Sequence, residues 1–254
     1  MKLRGRVALV TGASSGLGEA IALRLAEEGV KLGLAARRVE LLEGVAERAR
    51  RLGAQDARGF ALDLADPGSI SAMLAAFRDA YGDPDIAILN GGGPKPGRVS
   101  ELALADWDTA YRLLLRGMLQ LLDAVVPPMR AKRWGRIVAL TSTAVKQPID
   151  NLALSDALRT ALVAALRTLA VEVASDGVTV NSIATGRVDT ARLRALYGND
   201  EARLHEASSD VPIGRIASPE EFAPMAVFLC GEPAGYVTGQ TISVDGGLTR
   251  GLFG

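Results

Sequence analysis

The chain has 254 residues, with 29 basic side chains balancing 29 acidic ones, and a formal net charge of zero. This balance, without a basic or acidic cluster, predicts no nucleic-acid partner and no membrane partner. One cysteine, Cys230, and one histidine, His205, form neither a disulfide nor a metal-ligand pattern, so no metal is expected. Charges interrupt every apolar stretch before about 18 residues, and no signal-peptide pattern is seen. We therefore expect a cytoplasmic protein.

Seven short aliphatic runs alternate with segments of helical spacing. The predicted strands are 7–10, 31–35, 59–62, 86–89, 136–140, 178–183 and 241–244. Asp66-Pro67 and Ser218-Pro219 are typical helix starts, the second completed by Glu221 as a capping box. Strand and helix alternation predicts right-handed crossovers and a parallel sheet. The expected fold is therefore one doubly wound α/β domain over 1–254, with a seven-stranded parallel sheet and helices on both faces.

The segment 187–217 has the weakest pattern and follows the end of a predicted strand. A substrate loop or lid is one interpretation. A pair of solvated surface helices is the other, and both stay open at this point.

The first predicted strand ends in a glycine-rich turn that leads directly into a helix. This turn reads Thr11-Gly12-Ala13-Ser14-Ser15-Gly16-Leu17-Gly18. Glycines permit a sharp bend and a close backbone approach, and the free N–H groups of a helix N-terminus bind phosphate. The context predicts a dinucleotide pyrophosphate site, the alternative being an ordinary tight strand-to-helix turn.

Motifs along essentially the whole chain resemble those of the short-chain dehydrogenase/reductase family, and of its 3-oxoacyl-carrier-protein reductases in particular. In chain order they are the turn 12–18, Asp63-Leu64, Asn90-Gly91-Gly92-Gly93, Gly186 with Val188 and Thr190, and the segment 236–247. The motif at residues 90–93 matches the family's Asn-Asn-Ala-Gly only in part. Thr185 stands where the family usually has a proline, directly before Gly186. The resemblance implies cofactor contacts by Gly12, Ser14, Ser15, Gly16, Leu17, Gly18, Asp63, Leu64, Asn90, Gly91, Gly92, Arg159, Gly186, Val188 and Thr190.

The end of the second predicted strand bears on the choice of cofactor. It reads Leu34-Ala35-Ala36-Arg37-Arg38, without the acidic residue that binds a ribose 2′-hydroxyl in an NAD site. Arg37 and Arg38 can instead bind a 2′-phosphate. NADP(H) is therefore favoured over NAD(H), unless the two arginines merely begin a solvated helix.

Only one of the family's four catalytic side chains is present. Family members that reduce carbonyls use an Asn, a Ser, a Tyr and a Lys four residues after the Tyr. Ser142 matches the serine, whereas Ser155 stands at the tyrosine position, Arg159 at the lysine position and Leu114 at the asparagine position. No Tyr-x-x-x-Lys occurs in the sequence.

Ser155 is a poor substitute, because an aliphatic hydroxyl is a far weaker acid than a phenol of pKa about 10 and is too short to replace one. Losing general acid catalysis lowers the rate about 10²- to 10⁴-fold. Arg159 shares a helix face with Ser155 and can bind the nicotinamide ribose, but it stays charged. Alternatively, both are interface or surface positions. Lys146, Asp156 and Tyr111 are candidate replacement acids, although ordinary packing or solvent-exposed roles also fit them.

Two functional hypotheses follow. The first is a slow NADP(H)-linked oxidoreductase for a small-molecule or carrier-bound carbonyl or alcohol. The second is a catalytically silent protein that binds dinucleotide or serves as a scaffold or partner subunit. On either hypothesis we expect a homodimer or homotetramer, because the helix around 107–126 is apolar on more than one face. The family pairs through this helix and the one that begins near Ser155.

Overall fold

The computed structural model describes residues 1–252 and contains the predicted single α/β domain. Seven parallel strands form one sheet in the order β3-β2-β1-β4-β5-β6-β7. The strands are β1 Val7–Thr11, β2 Lys31–Ala36, β3 Asp56–Ala61, β4 Ile86–Leu89, β5 Gly135–Leu140, β6 Val178–Thr185 and β7 Thr241–Val244. The strand order reverses between β1 and β4, and such a switch point opens a crevice at the carboxyl ends of the strands.

The third strand differs from its prediction. It begins at Asp56 rather than at residue 59 and ends at Ala61. This strand lies at the edge of the sheet, and Arg58 and Gly59 are exposed. An edge strand of this kind lacks the continuous apolar run that marks the strands covered on both faces, such as β4 and β5.

Helices cover both faces of the sheet. They are α1 Gly16–Ala26, α2 Val39–Leu52, α3 Pro67–Tyr81, α4 Leu104–Tyr111, α5 Gly117–Ala131, α6 Ala153–Val173, α7 Ala191–Leu196, α8 Glu201–Ser209 and α9 Pro219–Cys230. Both predicted helix starts are confirmed: the Asp66 carboxylate accepts from the Gly68 N–H at 2.8 Å, and Ser218 and Glu221 form a capping box. Each cap satisfies backbone N–H groups that the helix itself leaves without partners.

The sheet separates two hydrophobic cores, which explains why its strands are apolar on both faces. Within β1, Ala8 and Val10 pack toward the core that contains Phe222 of α9, whereas Leu9 packs toward the core that contains Phe77 of α3. Successive side chains of a strand point to opposite faces, so one apolar run serves both layers.

A π-helical segment, Arg112–Arg116, connects α4 to α5. It contains the buried Leu114 and ends beside Gly117, where a Cβ would lie 2.1 Å from the Leu64 carbonyl oxygen. This close approach brings the helix against the loop that follows β3. Single π-helical turns are often found at functional sites.

The segment 187–217 contains α7 and α8, and Arg187 at its start bonds to Asp210 at 2.9 Å. Two short helices are compatible with a lid and with a surface helix pair. Among the helices of residues 1–252, none is long and apolar enough to cross a membrane.

Candidate active site

A cleft of about 550 Å³ lies at the carboxyl ends of the strands. Of the predicted site residues, those that line it are Gly12, Ser14, Ser15, Gly16, Leu17, Arg37, Arg38, Asp63, Leu64, Asn90, Gly91, Gly92, Ser142, Ser155, Arg159, Gly186, Val188 and Thr190. They come from the ends of six strands, β1 to β6, and from helix α6. The fold therefore brings together residues that the sequence separates by up to 178 positions, from Gly12 to Thr190.

Gly18 is the one predicted cofactor residue outside the cleft lining. A Cβ on Gly18 would lie 2.2 Å from the Gly12 carbonyl oxygen. Gly18 therefore permits α1 to pack directly against the turn. Gly12 and Gly16 have φ values of +63° and +60°, a conformation that favours glycine. Together these glycines set the backbone shape of the turn.

Asn90 fastens the glycine turn to the neighbouring strand end. Its side-chain amide donates to the Gly12 carbonyl at 3.3 Å, and its backbone N–H donates to the buried Thr11 hydroxyl at 2.8 Å. The Thr11 hydroxyl donates in turn to the Asn90 carbonyl oxygen at 2.7 Å. This exchange positions β1 and β4 at the switch point, so Asn90 has a structural role in addition to lining the cleft.

Arg38 reaches back across the cleft to the glycine turn. Its guanidinium donates to the Ser14 hydroxyl at 3.1 Å and to the Ser15 hydroxyl at 2.5 Å. Arg37 extends toward Gly92 on the other side. Ala36, where an acidic residue would bind a ribose, presents only a methyl group. The arrangement is suited to a phosphate rather than to a ribose hydroxyl.

The loops after β3 and β6 complete the end of the cleft that contains the glycine turn, where the sequence predicts the cofactor. One Asp63 carboxylate oxygen accepts from the Ala65 N–H at 3.0 Å and holds the first loop in place. Thr190 packs against Gly16, where a Cβ would lie 3.2 Å from the threonine methyl group. Gly186 has no room for a side chain, since a Cβ would lie 2.4 Å from the Asp245 Cα. These contacts bring the sixth strand end close to the turn.

The two serines predicted at the catalytic end both line the cleft. The Ser142 hydroxyl accepts from the Ala144 N–H at 3.2 Å as the cap of a short 3₁₀ turn. Its O–H remains available to donate to a substrate oxygen. Ser155 is buried in the first turn of α6.

Arg159 lies on the same face of α6, and its guanidinium is held by backbone carbonyls. It donates to the Leu140 carbonyl at 3.0 Å and, at 3.5 Å, to the Gly92 carbonyl. Desolvation, followed by the positive charge of Arg192, lowers the pKa of Arg159 to about 10. The side chain is therefore a cation at neutral pH, and it lines the cleft as a half-buried residue.

None of the three candidate replacement acids lines the cleft. Burial, followed by the charge of Arg167, lowers the pKa of Lys146. Burial raises the pKa of Asp156, although its carboxylate accepts from the Ile149 N–H at 3.3 Å. Tyr111 is 44% exposed on the helix surface. These three candidates are therefore outside the cleft lining, whereas Ser142 is part of it.

Arg192 is a cleft residue that the sequence interpretation missed. It lies at the second position of α7, and its guanidinium donates to the Pro94 carbonyl at 2.7 Å. Its position two residues after Thr190 in the β6 loop was the only available signal. Predicting the direction of the Arg192 side chain would require knowing the path of the loop after β4.

Comparisons with known proteins cover nearly the whole chain. A family model described as enoyl-(acyl carrier protein) reductase matches residues 12–249. The chain is 36% identical to the 3-oxoacyl-[acyl-carrier-protein] reductase FabG of Vibrio cholerae over 98% of this chain and 99% of the relative. The corresponding FabG of Escherichia coli is 34% identical, with the same coverage.

Solved structures show the same architecture. YwfH, an NADPH-dependent reductase involved in bacilysin biosynthesis, has a TM-score of 0.93 at 27% identity, over 98% of this chain and 100% of that chain. L-sorbose reductase from Gluconobacter frateurii, complexed with NADPH and L-sorbose, has a TM-score of 0.92 at 33% identity, over 99% and 100%. An actinorhodin polyketide ketoreductase variant with NADPH has a TM-score of 0.92 at 34% identity, over 97% and 98%. The chain therefore belongs to the short-chain dehydrogenase/reductase family, as its motifs predict.

Proposed function

We propose that the chain is an NADP(H)-dependent oxidoreductase for a small or carrier-bound carbonyl compound or the corresponding alcohol. The observation that supports this proposal most strongly is the position of the Arg38 guanidinium. It donates to the Ser14 and Ser15 hydroxyls and has no carboxylate partner in residues 1–252. A 2′-phosphate placed there gains charge-assisted hydrogen bonds. The NADPH present in two of the similar structures supports the same preference.

The residues at the other end of the cleft act on the substrate oxygen. When bound, the cofactor supplies the hydride for the carbonyl carbon. The Ser142 O–H donates to the carbonyl oxygen, and the Arg159 charge stabilises the alkoxide that develops there. Because Arg159 stays protonated at neutral pH, the alkoxide takes its proton from water admitted beside the short Ser155 side chain. We expect turnover about 10²- to 10⁴-fold slower than with a positioned acid.

A catalytically silent, dinucleotide-binding or scaffold protein is the second candidate. The observation that favours it is the absence of Lys146, Asp156 and Tyr111 from the cleft lining. Such a protein would keep the cofactor end and lack a proton donor at the substrate end.

An absorbance assay of NADPH consumption with a panel of ketones, keto acids and acyl thioesters distinguishes the two candidates. Steady turnover that disappears in Arg159→Ala supports the oxidoreductase. Arg167→Ala is the matched control, because it removes the same charge from an exposed position of the same helix. No turnover by a chain that binds NADPH would favour the silent protein.

The homo-oligomer is also part of this proposal. Helices α5 and α6 border an apolar groove of about 300 Å³ that includes Leu119, Leu122 and Leu169. Leu119, which lines this groove, is 37% exposed. Burying such a surface in a symmetric contact would stabilise a dimer or tetramer. Light scattering checks this expectation, and a monomer would contradict it.

A further inference from the structure

Arg192 occupies a space that only a glycine leaves open. Its side chain crosses Gly93 to reach the Pro94 carbonyl. A Cβ on Gly93 would lie 2.3 Å from the Arg192 Nε, so even an alanine at this position would displace the guanidinium. The triple glycine after β4, which departs from the family motif, therefore has a direct structural consequence.

Arg159 and Arg192 approach the same short segment from two directions. Arg159 bonds to the carbonyl of Gly92, and Arg192 bonds to the carbonyl of Pro94. The two are close enough that the charge of Arg192 contributes to the lowered pKa of Arg159. The cleft thus holds two neighbouring positive charges.

Neither guanidinium has a carboxylate partner in the part of the chain that the structure describes; both donate to carbonyl oxygens. Desolvation by the cleft walls lowers the pKa of Arg192 as well, although the residue is exposed on its solvent side. Arg194, two residues along, differs: it pairs with Asp189 and Glu201, and those bonds raise its pKa. Two neighbouring, partly desolvated cations repel each other, and a bound anion would offset that penalty.

The Arg159 guanidinium lies near the end of β5, on the side of Ser142 rather than of the glycine turn. The glycine turn and Arg38 form the phosphate end, whereas Arg159 bonds to Leu140, two residues before Ser142. Apolar side chains that share the cleft are Leu113, Leu152, Leu193 and Leu196. The surroundings of the pair fit a molecule with an anionic group on an apolar body.

We propose that Arg192 and Arg159 form an anion subsite at the substrate end of the cleft, and that the substrate is a carbonyl compound carrying a carboxylate. Arg192 is its main ligand, through the paired hydrogen bonds that a guanidinium makes with a carboxylate. Arg159 adds positive charge from the side of Ser142. This inference rests on the proposed function, since it names the substrate class of that same site.

Titration calorimetry on the NADP⁺-loaded protein tests the proposal with 2-oxohexanoate and its methyl ester as probes. The two differ in charge and retain the same carbonyl. We expect the acid to bind at least about tenfold more tightly than the ester, because one charge-assisted pair has that effect. Equal binding of acid and ester, or binding of neither, would overturn the proposal.

Two variants test whether Arg192 causes the preference for the acid over the ester. Arg192→Gln keeps a donor for the Pro94 carbonyl and removes the charge, and Gly93→Ala displaces the guanidinium without removing it. Both should abolish the preference for the acid, whereas Arg203→Ala, at an exposed position of α8, should keep it. A preference that survives Arg192→Gln would overturn the assignment.

NADPH affinity is the measurement that separates a failure of this inference from a failure of the proposed function. NADPH affinity should be unchanged in Arg192→Gln; a tenfold loss would place this arginine on a cofactor phosphate and overturn the anion subsite while leaving the proposed function intact. If the wild-type protein binds no NADPH, the proposed function fails, and the acid and the ester are then titrated into the protein without cofactor. A preference for the acid in that titration supports the anion subsite on its own, and equal binding overturns it as well.

Discussion

The two ends of the cleft are built in different ways. At the cofactor end the decisive features are backbone shapes: positive φ at Gly12 and Gly16, and a contact at Gly18 that excludes a Cβ. At the substrate end the decisive features are side chains on the rigid helix α6 and on the β6 loop. A helix accepts many side chains at the same position, whereas the turn accepts few. The family resemblance is accordingly strong at the first end and incomplete at the second, and chemistry can differ there on an unchanged scaffold.

The largest effect is expected from restoring the missing acid. Ser155 lines the cleft one helical turn before Arg159, so Ser155→Tyr combined with Arg159→Lys places a phenol and a tunable cation together. We expect turnover with a carbonyl substrate to rise about 10²-fold or more, the usual contribution of general acid catalysis. Steady-state kinetics measures this. An unchanged rate, with substrate binding intact, would mean that the substrate end differs by more than its proton donor.

The next effect concerns the backbone of the cofactor end. In Gly18→Ala the new Cβ meets the Gly12 carbonyl oxygen at 2.2 Å, so α1 must move away from the turn. We expect the free energy of unfolding to fall by about 1–3 kcal/mol and NADPH affinity to fall with it. Denaturant unfolding and calorimetry measure the two quantities.

Gly44→Ala is the control for that change. Gly44 lies within α2, and a Cβ there would meet nothing within 4 Å. This substitution should stabilise the protein by about 0.5–1 kcal/mol, because alanine favours the helix. If both variants behave alike, the turn is not constrained as described.

Arg38→Ala should weaken NADPH binding about tenfold or more and leave NADH binding unchanged, because only NADPH carries the 2′-phosphate. Calorimetry with both cofactors measures the change. Arg51→Ala, at an exposed position of α2 outside the cleft, serves as the charge-matched control. Equal losses for both cofactors would assign Arg38 to a phosphate common to the two.

The smallest effect tests the scaffold that both ends share. Burial raises the pKa of the Cys230 thiol from 9.0 to about 12. The folded protein therefore holds the thiol proton more tightly, so this contribution to stability is complete below pH 9 and is lost as the pH rises toward 12. We expect no labelling of the native thiol by a disulfide reagent at pH 8. The loss of stability above pH 9 should be smaller in Cys230→Ala, and fast native labelling would contradict the buried position.

Much of this molecule could be predicted from its sequence, because the central strands are apolar on both faces and the glycines of the turn have few alternative uses. The edge strand β3 begins three residues before its predicted start, since its exposed residues carry no apolar run. Arg192 was missed for a different reason. The role proposed for Arg192 depends on the direction of its side chain, and that direction depends on Gly93, which is 99 residues earlier in the chain. Pairings of this kind become visible only when strand ends are brought together.

Calorimetric titration of the wild-type chain with NADPH and, separately, with NADH tests the central claim most directly. The structure predicts tight binding of NADPH and weak binding of NADH, because Arg38, Ser14 and Ser15 face the site and Ala36 offers no carboxylate. Equal affinity for the two would contradict the proposed role of Arg38. Binding of neither would contradict the NADP(H)-dependent function itself.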